Sequence, residues 1–351
     1  MGACLAAFMF EKILGVKVMG CNLAIAGVTG AVGQEFLKIL EERDFQFDSL
    51  KMLASSRSKG KKIEFKGKQY VVEELTKDSF TGIDIALFSA GASRSKEFAP
   101  AAVKAGAVVV DNSSAFRMDA GVPLVIPEIN PQAIAENKGI IANPNCSTIV
   151  GIVPVWPLHK ANQVKRMVVS TYQAASGAGQ SAMLELERQS QEILDGKEPT
   201  CEAFPYQIAF NIFSHNSPLE PNGYNQEEMK MVNETRKIFD CPEIMITCTC
   251  IRIPVFRAHC ESINLEFTEA MTPDEARDLL STAPGVSVLD DRKNNRFPMP
   301  IDATGKDDVY VGRIRQDESI PENRGINLWV AGDQLRKGAA LNAVQIAEKL
   351  L

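Results

Sequence analysis

Asn22-Leu23-Ala24-Ile25-Ala26-Gly27-Val28-Thr29-Gly30-Ala31-Val32-Gly33 is the stretch that decides the fold. A short apolar run ends in glycines spaced G-x-x-G-x-x-G, and an amphipathic stretch, Gln34 to Arg43, follows. Strand, glycine turn and helix in that order open a dinucleotide-binding fold. The glycines permit a tight turn and bring a pyrophosphate close to unpaired N–H groups at the helix N-terminus. The spacing is not G-x-G-x-x-G, and tight turns use glycine for other reasons, so the motif takes its weight from its setting.

The setting continues downstream. A second strand, Leu50 to Ala54, runs into Ser55-Ser56-Arg57-Ser58-Lys59-Gly60. An acidic residue after this strand binds the ribose hydroxyls of NAD; Arg57, Lys59 and hydroxyls suit a 2′-phosphate instead, which points to NADP. Asp84 to Ser89 reads as a buried strand leading into Ala90-Gly91-Ala92-Ser93, with a helix from about Arg94 to Ala105 and a strand over Val108 to Asp111. Repeated β-α-β order with apolar strands means a parallel sheet covered on both faces, with ligands beyond the carboxyl ends of the strands. Asn112-Ser113-Ser114-Ala115-Phe116-Arg117 leaves one of those ends. Arg117 is therefore a candidate anion binder, with a plain surface arginine equally open.

The second anchor is Asn143-Pro144-Asn145-Cys146-Ser147-Thr148-Ile149. An extended segment turns at Pro144-Asn145 and enters an apolar run, Ile149 to Leu158, that reads as a helix. Cys146 then falls in the first helical turn, where free N–H groups and the helix dipole favour an anion and lower a thiol pKa. The alternative is a buried structural cysteine. The polar neighbours Asn145, Ser147 and Thr148 favour the nucleophile.

Beyond this helix the texture changes. Met167 to Tyr172 reads as a strand, Gln173 to Gly179 as a turn, and a long helix follows to about Gly196. Residues 197–225 show no strong period. Glu227 to Phe239 reads as a helix with Glu227 and Lys230 on one face, ordinarily a surface salt bridge. Ile246 to Ile253 alternates as a strand, so Arg252 points with Cys248 and Cys250; a second alternating strand runs from His259 to Phe267. Cys248, Cys250, His259 and Cys260 are not a metal set, because alternation alone accounts for the first pair and His259 and Cys260 point opposite ways. Further strands at 286–290, 308–315 and 326–331 imply a mostly antiparallel or mixed sheet. Gly332 to Asn342 opens a last helix that returns to the nucleotide domain.

The expected architecture is thus α/β. It combines a Rossmann-type NADP-binding domain on a parallel sheet, residues 21–145 plus 334–351, with an α+β catalytic and dimerisation domain on a mixed sheet, residues 146–333. At 351 residues, with 45% hydrophobic and 23% charged side chains, the chain is long enough for two cores. A net charge of −6 without a basic stripe argues against nucleic acid and against an anionic membrane surface. Eight cysteines without a C-x-x-C pair fit a reducing, cytoplasmic setting. Residues 1–20 read as an extension of unknown role. They are too charged for a secretory signal or a membrane span, and organelle targeting is left open.

Taken in order, GVTGAVGQE, DIALFSAGAS, DNSSAFR, NPNCSTI, STYQAASGAG, QEEMKMVNET, IRIPVFRAHCES and DQLRKGAALNAVQIAE resemble the aspartate-semialdehyde dehydrogenase family, from about Cys21 to the C-terminus. The resemblance implies NADPH-dependent reductive dephosphorylation of L-4-aspartyl phosphate to L-aspartate 4-semialdehyde and phosphate, on the route to lysine (through diaminopimelate), threonine and methionine. It implies Cys146 as nucleophile carrying a thioester, His259 as acid/base catalyst and Gln173 as the residue orienting the intermediate. Arg252 resembles the carboxylate-binding arginine, Glu227 the partner of the amino end, and Arg117, Asn145 and Lys230 the phosphate-binding groups. Gly27, Thr29, Gly30, Ala31, Val32, Arg57, Ser58, Ser89, Gly91, Ser176, Gly177 and Asn342 resemble cofactor contacts. The implied assembly is a homodimer or homotetramer, with no metal. On this reading His259 exchanges protons near the ordinary histidine range, and His159 and His215 are structural. The nearest rival is N-acetyl-glutamyl-phosphate reductase. Glyceraldehyde-phosphate dehydrogenase is disfavoured by Arg57 and Lys59, and a short-chain dehydrogenase by the lack of Tyr-x-x-x-Lys. A non-catalytic NADP-binding sensor is the alternative from another class.

Overall fold

The computed structural model describes residues 20–351, so the expectations for the N-terminal extension lie outside the described residues but for Gly20. The first sheet has six strands in the order Glu73–Glu74, Phe47–Ala54, Cys21–Ala26, Ile85–Phe88, Val108–Asp111, Ile140–Ala142. Every pairing in it is parallel. Its central strands are continuous apolar runs because helices cover both faces. Leu23 to Ala26 and Ala86 to Phe88 are wholly buried. The chain leaves Cys21–Ala26 toward one edge and Ile85–Phe88 toward the other, so a crevice opens between their carboxyl ends.

The second sheet has seven strands in the order Phe213–Ser214, Met245–Arg252, Val164–Gln173, His259–Phe267, Gly325–Gly332, Val309–Gln316, Val286–Val288. It is mixed: Met245–Arg252 runs parallel to Val164–Gln173, while His259–Phe267 runs antiparallel to it. The Cys146–Ala161 helix is apolar on all sides and lies in the core against this sheet, with Ile149, Val150 and Val153 in one cluster with Val169, Ile263 and Leu328. The last helix, Leu341–Glu348, packs back into the core of the first sheet beside Leu23, Phe36 and Ile39. Among the described residues no helix is long and apolar enough to cross a membrane.

The boundaries of two helices beside the site differ most from the sequence reading. The first begins at Ala31 rather than Gln34, because Gly30 is its N-cap and the glycine turn runs straight into the helix. The last begins later than expected. Asp333 Oδ1 accepts from the N–H groups of Leu335 and Arg336, closing a turn, and residues Arg336–Ala340 wind as a wider π-helical turn before Leu341.

Among the described residues, one buried carboxyl has neither oxygen partnered. Glu261 is fully buried, faces Thr171 and Val330 across its neighbouring strands, and neither carboxyl oxygen has a hydrogen bond. Gly151 gives it room, since a Cβ there would strike Glu261 Oε2. Burial raises this carboxyl well above the ordinary range, so it is held neutral. The raised folded value means that folding takes up a proton once the unfolded glutamate ionises, so its contribution falls as pH rises above about 4.5. Glu261→Gln removes that cost. Thermal melts across pH 4 to 8 are expected to show the variant a few degrees more stable at the alkaline end, with no advantage at about pH 4. A gap that did not change with pH would show Glu261 to be ionised and paired.

Candidate active site

Three residues after the edge strand Ile140–Ala142, the chain enters the helix that carries Cys146. Asn145 is its N-cap: Oδ1 accepts from Ser147 N at 3.0 Å and Thr148 N at 3.4 Å. This is the capping chemistry of an asparagine with extended φ/ψ, and it makes Cys146 the first helical residue. The Asn145 side chain also donates to Glu227 Oε1 at 2.9 Å, and its backbone N–H donates to Glu234 Oε2 at 2.6 Å.

Cys146 Sγ lies 3.5 Å from His259 Nε2. The other ring nitrogen, Nδ1, accepts from Ala174 N–H at 3.0 Å. That fixes the neutral tautomer: the ring proton is on Nε2 and faces the sulfur. Ala258, just before His259, has φ 73°, a left-handed conformation strained for a residue with a Cβ, and Gln334 Oε1 holds it through the Ala258 N–H at 2.9 Å.

The electrostatics correct two expectations. Burial pushes the Cys146 thiol up to about 12, Glu227 adds to this, and Arg117, Lys230 and Arg252 oppose it. Desolvation therefore outweighs the helix terminus, and the group rests as a thiol. Burial brings His259 down to about 3, helped by Arg252, so it is a neutral imidazole rather than a group poised in the ordinary histidine range.

Gln173 is buried and donates to Ser147 Oγ at 2.9 Å, with Glu227 Oε1 at 3.5 Å. Glu227 and Lys230 are not the surface pair expected from their spacing. Glu227 is buried, and Lys230 Nζ reaches its Oε2 at 2.8 Å. Burial pushes the Glu227 carboxyl up, but Lys230 and hydrogen bonds to the carboxylate outweigh this and bring it to about 2. Arg252 stands in register with Gln173, donates to Ala174 O at 3.0 Å, and has no carboxylate partner; its Nε is buried without a hydrogen bond. Arg117 is buried too, tied to Asn143 O, Asn112 O and Glu234 Oε1.

Two residues escaped the sequence reading. His215, set aside there as structural, puts Nε2 2.8 Å from Arg252 Nη2, and burial lowers it to about 4, so it meets the guanidinium as a neutral acceptor. It lies in a stretch without periodicity, where nothing local marks it. Glu234 was legible: it follows Lys230 by four residues and Glu227 by seven, on the same helix face. His159 is half-buried, with its ring against Trp156 and Phe239.

The crevice on the first sheet meets this site. Gly27 has φ +95°, and a Cβ there would strike Ser89 O; one on Gly33 would strike Gly27 O. A cavity of about 400 Å³ lies over Gly27, Thr29, Gly30, Arg57, Ser58 and Ser89, and adjoins one of about 340 Å³ that reaches Cys146 past Ala31, Val32, Gly91, Ser176 and Gly177. The first-helix N-terminus carries no acidic side chain in its first turn, which leaves its N–H groups and dipole unopposed for an anion. Gly177 is hemmed in: a Cβ would lie 3.1 Å from His259 and 3.2 Å from Arg252. Two expected contacts are elsewhere. Lys59 turns to Glu74 at 3.3 Å, and Lys61 and Arg94 line the outer cavity instead. Asn342 is fully buried behind the site, bonding Val125 O, Asn143 Oδ1 and Lys337 Nζ. Among the described residues no metal-ligand cluster forms.

Residues 22–137 match the family model of the semialdehyde dehydrogenase NAD binding domain, and residues 155–337 that of the semialdehyde dehydrogenase dimerisation domain. The aspartate-semialdehyde dehydrogenase of Synechocystis sp. is 56% identical over 330 residues, covering 94% of this chain and 97% of that protein. That of Aquifex aeolicus is 54% identical over 337 residues, covering 95% and 98%. A crystal structure of aspartate semialdehyde dehydrogenase II from Vibrio cholerae, complexed with ASA, superposes with a TM-score of 0.92 at 46% identity, over 95% of this chain and 98% of that one.

The thiol's state is open to direct measurement. Because the folded value is raised, iodoacetamide labelling of Cys146 in the free protein, followed on its peptide by mass spectrometry, is expected to climb roughly tenfold per pH unit to beyond pH 9. A plateau near pH 7 would mean that a thiolate is already formed.

Proposed function

The chain belongs to the aspartate-semialdehyde dehydrogenase family, and from that membership we propose how its own residues interconvert L-4-aspartyl phosphate and L-aspartate 4-semialdehyde with NADPH. The observation that carries the reading is the convergence on Cys146 of His259, Gln173, Glu227 and Arg252 at the mouth of a glycine-lined crevice.

Arg252 takes the substrate carboxylate in its planar fork, and the ionised Glu227 takes the amino end. An N-acylated substrate brings no cation to Glu227, which disfavours the acetyl-glutamyl reaction. Arg117 and Lys230 hold the phosphate, with Asn145 positioned beside them. Cys146 Sγ attacks the acyl carbon, the C–O bond to phosphate breaks, and the thiol proton leaves with the phosphate. A thioester on Cys146 remains. NADPH, when bound, supplies the hydride. The resulting thiohemiacetal collapses to aldehyde and thiol, with one proton delivered at the sulfur that faces His259 Nε2. Gln173 orients the reacting group.

NADP rather than NAD follows from the outer cavity, whose lining includes Arg57, Ser58, Lys61 and Arg94 and no carboxylate. Residues 21–145 plus 334–351 form the nucleotide domain, and 146–333 the catalytic and dimerisation domain. A homodimer would cover the outer face of the mixed sheet, where Phe297, Pro298, Met299 and Trp329 line a cavity of about 370 Å³.

Aspartate semialdehyde, NADP and phosphate are expected to give phosphate-dependent absorbance of reduced nicotinamide, and Cys146→Ser to lower it by at least about 10³-fold. Activity with N-acetyl-glutamate semialdehyde alone would move the substrate assignment. Arg57→Ala is expected to raise KM for NADP by about tenfold while leaving KM for NAD nearly unchanged. An equal rise for both cofactors would remove the 2′-phosphate role.

A further inference from the structure

Three cations act at Cys146, and they are held differently. Arg117 is fixed: Glu234, itself buried, accepts from Nη1, and two backbone carbonyls take Nε and Nη2. Arg252 has no carboxylate partner. Lys230 has one partner, Glu227, and only through Oε2 at 2.8 Å. The other oxygen, Oε1, is taken by Asn145 Nδ2 at 2.9 Å and Gln173 Nε2 at 3.5 Å. Glu227 is thus anchored on one side and exchangeable on the other.

The two members of the pair also differ in freedom. The Lys230 side chain is 30% exposed and that of Glu227 6%. Lys230 can retract along a four-carbon stem with its charge still solvated. Glu227 stays buried as a carboxylate, so it needs a cation at Oε2 throughout. Two ammonium groups on one buried carboxylate would leave a net positive charge there, so the second displaces the first toward solvent.

We propose that Lys230 is a placeholder on Glu227: the substrate's ammonium displaces it from Oε2, and the freed Lys230 becomes the mobile cation that binds phosphate beside Arg117. Phosphate binding is then coupled to the amino group of whatever occupies the substrate site. Without an amine, phosphate meets an arginine already paired with Glu234 and a lysine already paired with Glu227. With an amine bound, the site gains one unpaired positive charge. By linkage the effect is reciprocal, so phosphate also tightens the hold on an amino acid. The site thereby rejects a carboxylic acid lacking the amine at the phosphate step as well as at the binding step. The proposal rests on the amino-end role given above to Glu227 and the phosphate role given to Lys230.

Isothermal titration of inorganic phosphate into the protein tests it without turnover. L-2-aminobutyrate supplies the carboxylate and ammonium without an electrophilic carbonyl, and butyrate supplies the carboxylate alone. Saturating L-2-aminobutyrate is expected to tighten phosphate binding by about tenfold, and butyrate to leave it unchanged. Lys230→Ala should abolish the difference while L-2-aminobutyrate still binds. Equal phosphate affinity with both compounds, when L-2-aminobutyrate binding depends on Glu227 (weakened in Glu227→Gln), overturns the handover and leaves the substrate assignment intact. L-2-aminobutyrate binding that Glu227→Gln does not weaken overturns both.

Discussion

Asn145 is the junction on which the rest of the site depends. The chain passes here from the edge of a parallel sheet to a helix buried against a mixed one, and four hydrogen bonds hold the passage. Two cap the helix, one ties the backbone to Glu234, and one ties the side chain to Glu227. A cap alone contributes about 1 kcal/mol. Its larger consequence is positional: the first helical residue, Cys146, is set between the crevice of one sheet and the polar floor of the other. Gly338 completes the fit, since a Cβ there would come within 3.1 Å of the Cys146 Cβ.

Around that junction charge is nearly balanced in a medium that tolerates little imbalance. Arg117 is matched by Glu234 and Lys230 by Glu227, while Arg252 is met by a neutral imidazole, a carbonyl and the face of the Phe204 ring, with no carboxylate among the described residues. Removing water favours neutral forms, which is why the thiol and His259 both rest uncharged although a helix N-terminus lies beside them. On the roles proposed above, Arg252 attracts the carboxylate of a zwitterionic substrate, and the position that Lys230 occupies on Glu227 receives its amine.

The two sheets are joined by a second network behind the site. Glu35, on the first helix, pairs with Arg257 at 3.0 Å and Arg336 at 3.2 Å, and Asp333 holds Arg257 at 2.7 Å. Arg257 and Gln334 together brace the loop whose last residue, Ala258, is strained in the left-handed region before His259. The helix that begins at the glycine turn is thus connected through one carboxylate to the loop that aims the imidazole. Strain of this kind persists only where the surroundings over-determine it.

Much of this was readable from residue order. The glycine turn, the parallel strands, the alternating strand that aligns Arg252 with Cys248 and Cys250, and the placement of Cys146 in a first helical turn all follow from local periodicity and turn chemistry, which act over a few residues. What required the tertiary structure was everything set by burial and by partners distant in sequence. Spacing alone made Glu227 and Lys230 a surface pair, yet packing of their helix beside the Cys146 helix buries the carboxylate. The turn chemistry promised an acidic thiol, yet desolvation reverses the sign. Asn342 and Lys59 carry side chains suited to the cofactor crevice, yet Asn342 is bonded to Val125, Asn143 and Lys337, and Lys59 to Glu74. His215 reaches Arg252 from a stretch with no period at all. Sequence determines which chemical groups the chain owns and the local geometry of each. Whether a group is charged, and which group it faces, depends on the dielectric and the neighbours that only the folded chain supplies.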